Sequence, residues 1–268
     1  MRLIKSLLIA LFAVVLAIYV YSEYRISSSG VKEGPSITVE EGVLEVSVND
    51  PESVLLSGVT AYDELDGSLT DEILVSGVSK LLSDNTAKVT YLVFDSHDNL
   101  ATATRSIKYT DYRRPEISIN KPLIFPSKDV TGIISYFNAN DVIDGDISND
   151  VRISSLVPSS DPSLYYISVQ VMNSMGDSAK VKLPVIIATD SSAPVITLSS
   201  YLEYVETGSE FDPMAYLSSV NYKGNELSHD SVVMKGELDV NTPGTYHLFF
   251  ECTAENHTGR TALTVSVR

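Results

Sequence analysis

The residues with most chemical potential are carboxylates gathered at short spacing. Asp141, Asp144, Asp146 and Asp150 fall within ten residues, and Asp63, Asp66 and Asp71 form a similar group upstream. Calcium takes six to eight oxygen ligands at about 2.3–2.6 Å, which loop carboxylates and backbone carbonyls can supply. The spacing is not that of an EF-hand loop, which needs ligands at positions 1, 3, 5 and 12. A second reading needs no ion. Aspartates in turns accept backbone N–H bonds, and Gly67 and Gly145 supply the positive φ that such turns use. Both readings stand at this level. Asp111 and Asp190 are further oxygen donors for a metal held between domains.

Other chemistry is sparse. His97, His229, His247 and His257 show no paired metal spacing and read as exposed loop residues. No Gly-x-Ser-x-Gly elbow, phosphate-cradling loop or dinucleotide fingerprint occurs, so no catalytic residue is assigned and the expectation is a non-enzyme. Cys252 is the only cysteine, which excludes an intrachain disulfide and a multi-cysteine metal site. It alternates with Phe250 and Ala254 and reads as a core thiol. Asn256-His257-Thr258 is a formal glycosylation sequon. No Lys–Asn spacing singles out an isopeptide pair. Tyr201, Tyr204, Tyr216 and Tyr222 enrich the last third of the chain; Tyr204 and Tyr222 are the candidates for stacking on a sugar or a protein partner.

These residues lie on 268 residues with 35 acidic and 19 basic side chains, a net charge of −16. A polyanion such as nucleic acid is repelled by that surface. Three segments open alike: Pro35-Ser36-Ile37-Thr38-Val39, Pro115-Glu116-Ile117-Ser118-Ile119 and Pro194-Val195-Ile196-Thr197-Leu198, at spacings of 80 and 79. Ala61-Tyr62-Asp63-Glu64-Leu65-Asp66-Gly67 matches Ala139-Asn140-Asp141-Val142-Ile143-Asp144-Gly145, and Val93-Phe94-Asp95-Ser96 matches Val171-Met172-Asn173-Ser174, both 78 apart. Three ordered markers make the chain three tandem copies of one small domain, over 35–110, 115–188 and 194–268.

Each copy reads as β. Val89, Tyr91 and Val93 alternate with polar neighbours, as do Ile167, Val169 and Val171, and Leu248, Phe250 and Cys252; period two marks half-buried strands. Short strands at regular spacing between Gly, Asp, Asn and Pro turns describe small antiparallel sandwiches. The junctions Thr110–Arg114 and Thr189–Ala193 run into proline, which restricts swing between copies. Residues 26–34 read as a flexible tether and the whole as a rod.

Ahead of the tether, Arg2 and Lys5 precede an uncharged apolar run from Ser6 to Ser22, about 26 Å as helix, with Tyr19, Tyr21 and Tyr24 at its far end. Two readings compete over 1–25: a transmembrane signal anchor, and a cleaved signal peptide with Val15 and Ala17 before the cut. Both export the remainder of the chain, whose charge is −18 once Arg2 and Lys5 are set aside.

The Pro-x-Ile-x-Val openings, the Ala-x-Asp-x-x-Asp-Gly turn and the late strand ending in Asp or Asn resemble the bacterial surface immunoglobulin-like repeats, close to the hyalin-repeat type. The resemblance covers about 35–268. It implies an all-β chain of three immunoglobulin-like sandwiches, extracellular, serving as spacer or adhesion modules, with no catalytic residues. Copy 1 has Thr86-Ala87-Lys88 where a Gly-x-Tyr usually opens the late strand, and copy 3 has Asn221-Tyr222-Lys223-Gly224 in place of the acidic turn. The expectation is a non-catalytic stalk anchored in the cell membrane, N-terminus inside. A surface protein or polysaccharide is its expected partner, domain 3 is its tip by order, and with no wall-sorting tail following, the N-terminal helix is the expected anchor. The alternative is a carbohydrate- or protein-binding module whose face is on domain 3.

Overall fold

The computed structural model describes residues 12, 14–21 and 34–268. Residues 12 and 14–21 are helical, and no helix among the described residues is long and apolar enough to cross a membrane. The expected anchor over 1–25 and tether over 26–34 lie mostly outside the described residues.

From residue 35 the chain is mainly strand. Domain 1 holds β1 (Ser36–Val39), β2 (Leu44–Val46), β3 (Val59–Asp63), β4 (Gly67–Ser68), β5 (Leu74–Val78), β6 (Thr86–Phe94) and β7 (Leu100–Tyr109). Domain 2 holds β8 (Glu116–Ile119), β9 (Ile124–Phe125), β10 (Phe137–Asp141), β11 (Gly145–Asp146), β12 (Arg152–Ile153), β13 (Val157–Pro158), β14 (Leu164–Met172) and β15 (Ser178–Ile187). Domain 3 holds β16 (Val195–Leu198), β17 (Leu202–Val205), β18 (Leu217–Tyr222), β19 (Asn225–Glu226), β20 (Val232–Lys235), β21 (Gly244–Ala254) and β22 (His257–Val267).

Each domain has a three-stranded sheet, β1-β3-β4, β8-β10-β11 or β16-β18-β19, facing a larger one. The larger sheets run β2-β7-β6-β5, β12-β14-β15-β9 with β13 beside β14, and β17-β22-β21-β20. The expected alternation decides what is buried: Val89, Tyr91 and Val93 in β6, Ile167, Val169 and Val171 in β14, and Leu248, Phe250 and Cys252 in β21 all face inward. They meet the inward residues of the smaller sheet, such as Ile117 and Ala139 in domain 2 and Ile196 and Val220 in domain 3. Two sheets sharing one apolar layer make a β-sandwich. Cys252 is 1% exposed, the core thiol expected.

Backbone contacts divide the chain into two units. One is domain 1; the other combines domains 2 and 3 with the stretches 47–49 and 80–86. Within the second unit the two sandwiches meet through sheet faces, β15 lying against β21 and β22 and β8 against β17. Leu202 of β17 joins the buried cluster of domain 2.

Gly259 in β22 pairs with Cys252, and a Cβ there would sit 1.8 Å from the carbonyl oxygen of Pro194. Backbone cannot yield as a flexible side chain can, so Gly259→Ala should lower stability by about 3 kcal/mol, measured by urea unfolding. Gly244→Ala, whose nearest neighbour would be the Tyr246 ring at 3.4 Å, should change it by less than about 1 kcal/mol.

Candidate functional site

In domains 1 and 2 the paired aspartates sit at one end of the sandwich, where the turn after β3 or β10 meets the β6–β7 or β14–β15 hairpin. In domain 1, Asp63 Oδ1 accepts the backbone N–H of Leu65 (2.8 Å) and of Asp66 (3.0 Å). In domain 2, Asp141 Oδ1 accepts those of Ile143 (2.9 Å) and Asp144 (3.1 Å). Gly67 and Gly145 close the turns at φ of +78° and +70°.

The second aspartate of each turn reaches across to the other sheet. Asp66 accepts the N–H and hydroxyl of Ser96, both at 2.8 Å. Asp144 accepts the same two groups of Ser174, at 2.6 and 2.7 Å. The β3–β4 turn belongs to the smaller sheet and the β6–β7 hairpin to the larger, so each carboxylate staples the two sheets together. The Ser96 bonds, backbone first, hold the Asp66 carboxyl below the usual carboxylate range.

Behind each staple lies a second group. Asp95 is buried and accepts from the Asn99 side chain (2.7 Å) and from the backbone N–H groups of His97 and Asn99 (2.8 Å each). The Asn99 side-chain bond is the largest cause of its lowered pKa. Its counterpart Asn173 donates through Nδ2 to Asp141 (3.1 Å) and to the Tyr112 hydroxyl (2.9 Å), which itself donates to Asp177 (3.0 Å). Burial, then the Asp177 bond, pushes the Tyr112 phenol well up.

Domain 3 lacks the acidic turn and solves the same problem with opposite polarity. Lys223 and Gly224 form a tight turn at φ of +50° and +83°, as expected of a two-residue hairpin loop. Lys223 Nζ bonds Glu255 in the facing β21–β22 turn at 2.5 Å, and the Tyr222 hydroxyl donates to the same carboxylate at 3.0 Å. Lys–Glu replaces Asp–Ser between the same two loops. A signal was present in the sequence, since Lys223 and Glu255 occupy the two positions where copies 1 and 2 carry Asp and Ser.

For calcium, the carboxylates of the seven named aspartates are unequally placed. Asp66, Asp95 and His97 bring three ligand atoms within 4.8 Å of one another. N–H and O–H donors already point at the oxygens of Asp63, Asp66 and Asp95, where a cation needs open lone pairs. In domain 2, Asp146 accepts from the Ser148 hydroxyl (2.5 Å) and N–H (2.9 Å), and these bonds, side chain first, lower its pKa. Asp71 and Asp150 sit exposed in 3-10 turns, Asp150 4.0 Å from Arg152. The hydrogen bonds therefore support the turn reading. At the junctions, Asp111 accepts from Ser47 (2.6 Å) and the Val48 N–H (2.9 Å), and Asp190 bonds His257 (2.7 Å) and the Ser192 N–H (2.9 Å). Asp111 thereby ties its junction to residues 47–48, and Asp190 ties its junction to β22.

Three expectations are corrected. Tyr222 is 8% exposed, its ring inside domain 3, so it presents no stacking face. Tyr204 is engaged with domain 2: its hydroxyl lies 3.1 Å from the N–H and 3.2 Å from the carbonyl of Ile117, and the Arg268 guanidinium covers its ring at 4.6 Å. His247 and His257 are strand residues, not exposed loop residues: His247 of β21 lies against Tyr166 of domain 2, and His257 of β22 bonds Asp190 of the junction. Sequence reading also missed Arg260. It bonds Asp161 of domain 2 at 2.7 Å, approaches Glu251 at 3.4 Å and lies 4.1 Å above the Phe249 ring. The Ser163 hydroxyl, the Ser163 N–H and then Arg260 hold the Asp161 carboxyl down to about 2. Arg268 also bonds Glu116 of β8.

No family model matches the chain. It is 27% identical over 195 residues to the pesticidal crystal protein Cry22Aa of Bacillus thuringiensis, covering 71% of this chain but only 24% of that protein. The chain thus spans about a quarter of that relative's length. Since only 34 residues precede the repeats, most of the alignment falls within them. Among solved structures, the lipoprotein BT2262 of Bacteroides thetaiotaomicron is 25% identical over 28% of this chain and 37% of that one, with a TM-score of 0.24. The catalytic domain of Clostridium perfringens ZmpB with its two CBM51 domains is 13% identical over 87% of this chain and 30% of that one, with a TM-score of 0.25. At such scores neither likeness bears on the fold or the site.

Asp141→Ala removes a 3%-exposed acceptor from Asn173, Ile143 and Asp144. It should lower domain 2 stability by about 2–3 kcal/mol in urea unfolding. The loss should be the same with calcium and with chelator, whereas a loss confined to calcium-loaded protein would assign the turn to a metal.

Proposed function

We propose that this chain is a non-catalytic structural or adhesive module of a bacterial surface. Three immunoglobulin-like sandwiches are exported and held at the cell membrane by the N-terminal apolar segment. The observation that carries this reading is where the polar side chains go. Asp66, Asp144 and the Lys223–Glu255 pair bridge sheets, while Tyr204, Arg260 and Arg268 bridge domains 2 and 3. Side chains that would attract interest as acids, bases or ligands serve to stiffen the fold.

The partial similarity to a Bacillus protein supports a bacterial repeat module that occurs in larger proteins. It does not extend that protein's toxicity to this chain, which covers a quarter of it. The net charge of −16 suits a well-hydrated exported surface. The binding alternative on domain 3 loses its two named tyrosines, so any adhesive contact uses other surfaces.

The full chain with a C-terminal epitope, expressed in a bacterium with a single membrane, tests this reading. The epitope should be accessible to antibody on intact cells and should stay with the membrane through alkaline carbonate washing. Labelling only after lysis would overturn export; an epitope found in the medium would replace the anchor with a cleaved signal peptide.

A further inference from the structure

We propose that the contact between domains 2 and 3 is an acid-sensitive latch, closed while His247 is neutral and loosened when its imidazole takes up a proton. His247 projects from the outer face of β21 into the sheet-to-sheet contact. From β22, the Thr264 hydroxyl lies 3.3 Å from His247 Nδ1. From β14, the Tyr166 ring centre is 5.3 Å from the imidazole. From β15, Lys182 places its ammonium 4.3 Å over that same Tyr166 ring. A protonated His247 would be a second cation at one aromatic ring.

The carboxylates of the contact are turned elsewhere: Asp161 and Glu251 to Arg260, and Glu116 to Arg268. Among the described residues no carboxylate bonds His247. Burial first, and Lys182 second, hold its pKa down to about 4. Freed from the contact, an imidazole returns to about 6.5. The proton therefore binds the open form more readily. The contact keeps its full strength above about pH 6.5 and weakens as pH falls towards 4, by on the order of 100-fold in the closed-to-open ratio. The other histidine nearby, His257, bonds Asp190 of the junction segment at 2.7 Å and does not hold the sheet faces.

The test uses the full chain in detergent micelles, with nitroxide labels at Met172→Cys in domain 2 and Val233→Cys in domain 3, both at least half exposed; Cys252, at 1% exposure, stays unlabelled. Pulsed electron resonance should give one narrow distance at pH 7.5 and a second, broad component at pH 4. The broad component should vanish in His247→Gln and diminish in Lys182→Gln. A single narrow distance at pH 4, or equal broadening in both variants, overturns the latch. Should His247→Gln fail to fold, Lys182→Gln and the histidine Cε1–H titration decide: His247 titrating near 6.5 with the contact still closed would overturn it.

Discussion

A β-sandwich has two sheets with no backbone hydrogen bonds between them, so only side chains can fix one sheet against the other. The apolar layer supplies most of the attraction but is not directional. Direction comes from the loop staple, a carboxylate in the smaller sheet's turn holding an N–H and a hydroxyl in the larger sheet's hairpin. Charge-assisted bonds of this kind are shorter and stronger than neutral ones. With the turn and hairpin tied, the register of the inward strands at that end is set. Asp95 in domain 1 and Asn173 in domain 2 then order the hairpin loops behind the staple.

Domain 3 shows that the constraint is on the link and not on the residues. Its turns are too short for an Asp-x-x-Asp-Gly loop, yet Lys223 and Glu255 join the same two places. A salt bridge between exposed side chains is weak in itself. Here the buried Tyr222 hydroxyl shares the Glu255 carboxylate and anchors the pair to the core.

Domains 2 and 3 bury sheet faces that isolated sandwiches would turn to water. Pro184 and Ile186 of β15 and Thr264 of β22 are covered, and Leu202 crosses into the neighbouring core. The contact mixes this apolar strip with the Arg260 and Arg268 ion pairs, a composition closer to a separable interface than to a domain interior. Such a contact can hold in one condition and yield in another.

Much of this was legible in the residues. Period-two alternation identified the buried members of β6, β14 and β21, because every second strand side chain faces the core whatever lies outside it. The glycines of the acidic turns announced their positive φ, and the aspartates beside them their bonds to local backbone. The burial of Cys252 was given by its place between Phe250 and Ala254. What alternation cannot report is the fate of an outward face. Lys182, His247 and Arg260 occupy positions that read as solvent-facing in any single sandwich, and Tyr204 and Tyr222 read alike as spare aromatics. Only packing separated them, placing Tyr222 within its own domain and Tyr204 against the Ile117 backbone. Local sequence sets which way a side chain points from its strand; what waits there depends on segments up to 152 residues away, as between Glu116 and Arg268, and is decided by the tertiary fold.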